Sequence, residues 1–420
     1  MAICQAIPKS PAATEGNRMP AISVILPVYN AASFLGETMA SIQGQTFTDY
    51  EVLCVDDGST DTTPSLLARY AQADHRIRVI RQENSGPGKA RNTGLAHASG
   101  DYVLMLDSDD IYDEQMFDLM HKRAIETEAD MVVCRSTLFD DKTGVNLDSS
   151  WVVKNNQLPH EDTFTPKDIQ DFAFTAFMGW PWDKLYKRSL IEDHHLRYPS
   201  LNNSEDLYLV FLSIVLANKI SVIDQSLISH RMNRAGSVSA SRASAPLDFY
   251  KSICLLKYAL KEKGLLERYS WSFFNWAFEY LVWNIDTMDD SGGRKVQLEA
   301  LANGEFSELE LERRSGSYLS LNPKHHATYM KLLREAYGIK QPPSDAGKRS
   351  LLGHLISFLT RVDADGWVVA IKAFLSYRVG RLLRKNTDPV EPKIVRSSDY
   401  MITNRKSLID HDASANGGNK

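Results

Sequence analysis

Asp107 and Asp109 follow directly on the apolar run Tyr102-Val103-Leu104-Met105-Leu106. Side chains at i and i+2 of an extended segment point to the same side. Both carboxylates can therefore address one hard cation, and Asp110 adds charge beside them. Oxygen ligands of this kind suit magnesium or manganese bridging to a diphosphate. The same residues also read as an acidic strand-to-helix turn leading into a helix that begins near Asp113. A lone D-x-D does not separate the two readings.

Two further clusters bear on that choice. The apolar run Tyr50 to Val55 closes on Asp56-Asp57-Gly58-Ser59-Thr60-Asp61, and the run Ile22 to Leu26 closes on Pro27-Val28-Tyr29-Asn30. Helical patterns lie between these runs, which predicts parallel strands buried on both faces. Their C-terminal ends then share one edge of the sheet, where open α/β sheets bind ligands. Asp56-Asp57-Gly58-Ser59 is also a serviceable turn and helix cap, with Pro64 in the first helical turn. A turn alone does not account for two acids paired at the mouth of that crevice.

A fourth acidic site is Asn202-Asn203-Ser204-Glu205-Asp206-Leu207. Leu207, Val210, Phe211, Ile214 and Val215 repeat at helical spacing, so Ser204 reads as the N-cap and Glu205-Asp206 as the first turn. Acids there already favour the helix macrodipole. Adjacent helical residues diverge by about 100 degrees, so the two acids cannot do the same job.

Asn84-Ser85-Gly86-Pro87-Gly88-Lys89-Ala90-Arg91-Asn92-Thr93-Gly94 completes an ordered set of four motifs that resembles family 2 glycosyltransferases with the glycosyltransferase A fold. The resemblance covers about residues 20 to 240 and stops there. It implies a nucleoside held by Pro27, Tyr29, Asn30 and the Asp56-Asp57 pair, one acid of which accepts the uracil imide N–H. A carboxylate discriminates such a donor, as acids do at donor edges of bases. Asp107 and Asp109 would hold the divalent cation, manganese or magnesium. Asn84, Lys89 and Arg91 would lie near the phosphates, Arg91 first because Ala90-Arg91-Asn92 matches the family motif.

The resemblance also assigns the acceptor side. Asp206 would take the acceptor proton, and Glu205 would position the acceptor. Trp180 and Trp182 would stack on sugar faces, and Lys184 or Asp183 would bind hydroxyls; core burial is the other reading for both tryptophans. Arg231, with Arg234 and Ser237 behind it, would close over the diphosphate, or else belongs to an ordinary surface loop. A carboxylate on the acceptor side and a cation on the leaving-group side define one in-line displacement with inversion. No activated serine or cysteine is evident for a covalent intermediate.

These readings imply an inverting, metal-dependent transferase that moves a sugar from a nucleoside diphosphate sugar, preferably a UDP-sugar. The acceptor would be a saccharide or lipid-linked oligosaccharide in envelope, capsular or exopolysaccharide synthesis. Sugar-phosphate nucleotidyl transfer is an alternative, but it calls for a glycine-rich, arginine-containing loop where Pro27-Val28-Tyr29-Asn30 stands. A non-catalytic sugar-binding relative is disfavoured by the presence of Asp107, Asp109 and Asp206.

The elements that must position these groups follow from the rest of the chain. At 420 residues, 43% hydrophobic and 24% charged, there is room for two or three domains. We expect a flexible segment over 1–20, a Rossmann-like glycosyltransferase A sheet with helices on both faces over 21–245, a mainly α-helical region over 246–385 and a disordered polar tail over 386–420. Trp271, Phe274, Phe278, Leu281 and Trp283 mark the helical region, with loops expected around Gly292-Gly293 and Pro342-Pro343. A net charge of −5 gives no basis for a nucleic-acid surface. Cysteines 4, 54, 134 and 254 lack the spacing of a disulfide frame or zinc site and read as buried thiols.

No apolar signal core or membrane-spanning run is evident, which points to a cytoplasmic protein. Residues 365–385 carry an apolar stripe from Trp367 to Leu382 and end in Arg378, Arg381, Arg384 and Lys385. Such a basic amphipathic helix either packs on its own domain or contacts an anionic membrane, here the inner face of the cell membrane.

Overall fold

The computed structural model describes residues 19–232, 242–288, 292–311 and 323–338. The expected basic helix over 365–385, the polar tail, Arg234, Ser237, Cys4 and Pro342-Pro343 lie outside the described residues.

One mixed sheet organises the first half of the chain. Strands β1 (Ile22–Val28), β2 (Tyr50–Asp56), β3 (Ile77–Arg81) and β4 (Tyr102–Met105) run parallel, in the spatial order β3-β2-β1-β4. Beyond β4 the sheet continues through strands that the expectation of parallel pairing did not include. With β5 (Ile111–Tyr112), β6 (Met131–Asp140), β9 (Lys184–Lys187) and β10 (Ile220–Met232), the order continues β9-β6-β10-β5. β9 lies antiparallel between β4 and β6, and β5 lies antiparallel to β10. Two short strands, β7 (Asn146–Leu147) and β8 (Thr163–Phe164), attach to β6 and β10.

Every residue of β1 and β2 is buried, as the uninterrupted apolar runs require. Alternate residues feed two cores. Val24, Leu26, Cys54, Leu104 and Val132 pack with α1 (Leu35–Gln43), α2 (Thr63–Ala73) and α4 (Met116–Thr127). Ile25, Leu53, Val103, Met105 and Val133 face α3 (Pro87–His97), α5 (Arg188–Asp193) and α6 (Asp206–Leu216). Helices therefore cover both faces.

The region beyond 245 is helical: α7 (Asp248–Glu262), α8 (Leu266–Asp286), α9 (Gly292–Ala302) and α10 (Pro323–Ala336). Gly292 begins α9, where a loop was expected. Phe249, Ile253, Leu256, Phe273, Phe278, Leu301 and Leu332 belong to the same buried cluster as Ile25 and Val103. The core therefore runs without a break from the sheet into the helices. Cys54, Cys134 and Cys254 are buried free thiols, and burial pushes the Cys54 thiol up to about 12. Among the described residues, no helix is long and apolar enough to cross a membrane.

Candidate active site

Parallel pairing brings the first three clusters to one edge. Val28 pairs with Asp56, Asp57 N donates to Val28 O at 2.9 Å, and Leu106 N donates to Ile25 O at 3.0 Å. Asn30, Asp57 and Asp107 thus emerge side by side. Asn30 adopts φ 46°, and its Oδ1 accepts the backbone N–H groups of Thr60 at 2.8 Å and Asp61 at 3.3 Å. It serves the turn after β2. Pro27 is buried within β1, and the Tyr29 ring is 49% exposed at the edge.

The paired acids have unequal duties. Asp57 accepts Gln82 Nε2 at 2.7 Å, Ser85 N at 2.9 Å and Gly86 N at 2.8 Å, so it ties the 82–86 segment to β2. Asp56 accepts Ser59 N at 2.9 Å and lies 3.6 Å from Arg81 Nε. Gly58, at φ 75°, is needed where it stands: a Cβ there would lie 2.8 Å from Asn84 N. The Asn84 and Lys89 side chains are exposed.

Arg91, expected near the phosphates, is engaged by three acids of the site. It is 4% exposed, and its Nη2 donates to Asp107 Oδ1 at 2.6 Å. Nη1 donates to Asp206 Oδ1 at 2.9 Å and to Glu205 Oε1 at 3.3 Å. The guanidinium lies over the Tyr198 ring, 5.4 Å from its centroid. Arg91 is therefore a buried hub beneath the acids, joining the end of β4 to the start of α6. Gly88 lets these parts close, since a Cβ there would meet Glu205 Cγ at 2.8 Å.

Ligand atoms of Asp107, Asp109 and Asp110 lie within 4.8 Å of one another. Asp110 is fully buried and committed, accepting Arg231 N at 3.0 Å with His230 Nδ1 2.8 Å from its other oxygen. Asp107 and Asp109 are partly exposed. An all-carboxylate set of this span fits a hard divalent cation. Tyr112 fixes the loop, its hydroxyl accepting Asp107 N and donating to Asp107 O.

At the start of α6, Glu205 is buried and Asp206 half-buried. Ser204 is not the side-chain N-cap expected: Glu205 occupies that position without a capping bond, and Ser204 is left-handed at φ 59°. Burial raises the Glu205 carboxyl above its ordinary range, against the lowering pull of Arg91. Asp206 is raised well above its ordinary range by burial and then by the charges of Glu205 and Asp107, again with Arg91 opposing.

Several expected sugar contacts are otherwise engaged. Lys184 is fully buried and donates to Met178 O at 3.0 Å, Trp180 O at 2.9 Å and Asp183 Oδ1 at 2.6 Å. All three of its protons are used, so Lys184 and the equally buried Asp183 hold the segment instead of binding hydroxyls. Trp182 is 2% exposed and packs against Trp180 at 4.8 Å and His230 at 4.6 Å, rings that also lie 5.6 Å from each other. Trp180 remains half-buried, with the exposed Trp151 ring edge-on to it at 5.6 Å.

Arg231, expected to close over the diphosphate, is held by protein groups. It donates to Asp109 O at 2.9 Å, Asp141 Oδ1 at 2.6 Å and Glu37 Oε2 at 2.7 Å, between the rings of Phe34 and Phe139. It clamps the acidic loop to α1 and to the end of β6. Trp151 and the pairing of His230 with Asp110 were missed in the sequence. His230 Nδ1 and Asp110 are 120 positions apart, and no local pattern marks such a contact.

The model of the family described as Glycosyl transferase family 2 matches residues 23–194. The EpsH protein of Bacillus subtilis (strain 168) is 32% identical over 217 residues, covering 51% of this chain and 61% of its own length. Glycosyltransferase GlyA of Streptococcus pneumoniae is 35% identical over 224 residues, but the match covers only 31% of it. The chain thus spans less than two thirds of these two relatives. Glycosyltransferase GlyG of the same organism is 31% identical over 224 residues, which is 52% of this chain and 72% of GlyG.

A crystal structure of S. aureus TarS 1-349 shares the fold, with TM-score 0.55 at 22% identity over 77% of this chain and 92% of that one. Staphylococcus aureus (strain Mu50) TarS, named a poly(ribitol-phosphate) beta-N-acetylglucosaminyltransferase, is 26% identical over 253 residues, 42% of its length. The sheet edge is therefore that of a glycosyltransferase A fold, and the chain belongs to glycosyl transferase family 2.

Proposed function

We propose that this chain is an inverting, metal-dependent glycosyltransferase that moves a sugar from a UDP-sugar to a saccharide or lipid-linked oligosaccharide acceptor. The observation that carries the reading is the attachment of Asp107 and Asp206 to one buried guanidinium, that of Arg91. It sets a diphosphate-side acid and an acceptor-side acid at a fixed spacing. Family membership and the names of GlyG and TarS support sugar transfer, and the TarS name, with poly(ribitol-phosphate) as its acceptor, supports a polymer as the class of acceptor.

The residues divide the work as follows. Asp107 and Asp109 would hold manganese or magnesium, which when bound supplies positive charge against the diphosphate leaving group. Asp56 accepts the uracil imide N–H, because Asp57 already accepts three protein N–H donors and Asp56 only that of Ser59. Tyr29 offers the base a flat wall. Asp206 takes the proton of the attacking hydroxyl, for which its raised proton affinity suits it. Glu205, buried against Arg91 and Gly88, orients the acceptor. The half-buried Trp180 offers a ring to the apolar face of a sugar. Cytoplasmic action at the inner face of the cell membrane completes the reading.

Melting shifts with a panel of nucleoside diphosphates and manganese test the donor, since a ligand that binds the folded state raises Tm by mass action. UDP should raise Tm in a manganese-dependent way, and the purified protein should slowly hydrolyse a UDP-sugar. A response to a different base would replace the donor. No response together with no hydrolysis would favour a non-catalytic relative.

A further inference from the structure

Ser204, directly before the proposed base pair, adopts φ 59°, a conformation disfavoured for a residue with a Cβ. Its surroundings hold it there. Ser252 of α7, fully buried, donates its hydroxyl to Ser204 O at 2.7 Å. The Tyr280 hydroxyl of α8 lies 3.2 Å from Ser204 Oγ. Asp248 Oδ2 accepts Asn202 N at 2.9 Å and Asn202 Nδ2 at 3.2 Å, and Asn203 Nδ2 donates to Ala245 O at 3.0 Å. The three residues before Glu205 are thus tied, one after another, to the segment and helices that follow the sheet.

We propose that Ser252 and Tyr280 are positioning residues for transfer, with Asp248 anchoring Asn202 two residues upstream: Ser252 and Tyr280 hold Ser204 left-handed and through it set the directions of Glu205 and Asp206. Rotation about the Ser204 backbone would swing the first turn of α6, because the two acids leave the helix about 100 degrees apart. Asp206 would then lose its place beside Arg91. Catalytic groups misplaced by about 1 Å cost up to about a hundredfold in rate. The helices after residue 245 are therefore part of the catalytic apparatus, although none of these three side chains need touch substrate. The inference rests on the proposed role of Asp206.

Two double-mutant cycles test it, using the full chain. The first follows manganese-dependent turnover of UDP-glucose, UDP-galactose and UDP-N-acetylglucosamine. Ser252→Ala and Tyr280→Phe should each lower kcat about ten- to a hundredfold with manganese–UDP affinity unchanged, and should lower it less in an Asp206→Asn background, where only Glu205 is left to misplace. Unchanged kcat, or equal losses in both backgrounds, would overturn the proposal. The second cycle reads Tm and needs no turnover. Asp206→Asn should raise Tm in the parent chain, where the acid is held among other acids, and should raise it less once Ser252→Ala or Tyr280→Phe frees the turn. An equal change in Tm in both backgrounds would overturn the proposal. If the Tm cycle shows coupling while Asp206→Asn leaves turnover intact, the positioning stands and the assignment of Asp206 as base falls.

Discussion

Arg91 Nη1 donates to Asp206 Oδ1 at 2.9 Å across 115 positions of sequence, and the same guanidinium reaches Asp107 at 2.6 Å. Two charged ends of the site thus share one cation. Arg91→Lys should fail to restore this arrangement, because an ammonium is a point charge without the planar fork. Turnover should fall steeply with only partial loss of stability. Arg91→Ala should lower stability by about 3–5 kcal/mol, the range for removing one partner of a buried ion pair. Denaturant titration beside steady-state kinetics separates the two variants.

Asp109→Asn should abolish manganese-dependent UDP binding, since an amide does not offset cation charge as a carboxylate does. Calorimetric titration of UDP with and without manganese reads this directly. Full manganese dependence in the variant would remove Asp109 from the site.

Asp56 and Asp57 should behave oppositely. Asp57→Asn places an amide among three N–H donors and should cost about 1–3 kcal/mol of stability. Asp56→Asn keeps an oxygen for Ser59 N and should weaken UDP binding with little change in Tm. A folding defect in both variants would make the pair a turn and nothing more.

Asp206→Asn should lower transfer by about two to four orders of magnitude with UDP-sugar affinity nearly unchanged. If Glu205→Gln shows that loss instead, the roles are reversed.

The pH dependence follows from the same acid. Burial and the Glu205 and Asp107 charges raise the Asp206 carboxyl above its ordinary range of about 4. The base works deprotonated, so the acid limb of kcat should lie above that range and disappear in the variant. For stability the sign is opposite. The folded state binds this proton more tightly than the unfolded state does, so stability falls as pH rises from the unfolded pKa through the folded one. Asp206→Asn should therefore raise Tm at neutral pH.

Much of this was readable in the sequence, and what was missed is burial and the contacts that come with it. Strand ends and the acidic clusters are local patterns, so the edge that gathers Asn30, Asp57 and Asp107 could be anticipated. Arg91 could be picked out as a residue, but its partners lie up to 115 positions away. Lys184 and Arg231 looked like ligand-binding cations because exposure is the ordinary state of a charge; one is buried on backbone carbonyls and the other is pinned between rings. Ser204 has the right type for a cap, yet its backbone is left-handed, with its carbonyl accepting Ser252 and its hydroxyl beside that of Tyr280.

The unbroken core from Ile25 of β1 to Phe278 of α8 and Leu332 of α10 governs how the molecule comes apart. Opening the helices would expose the apolar side of α6, which packs on the sheet, so both halves should melt in a single cooperative transition. A nucleotide bound at the strand edge would then slow proteolytic cutting within α8, a helix it need not contact. Chain cut after residue 245 would keep the acids but leave α6, on which α7 packs, with an uncovered apolar side, a surface prone to self-association.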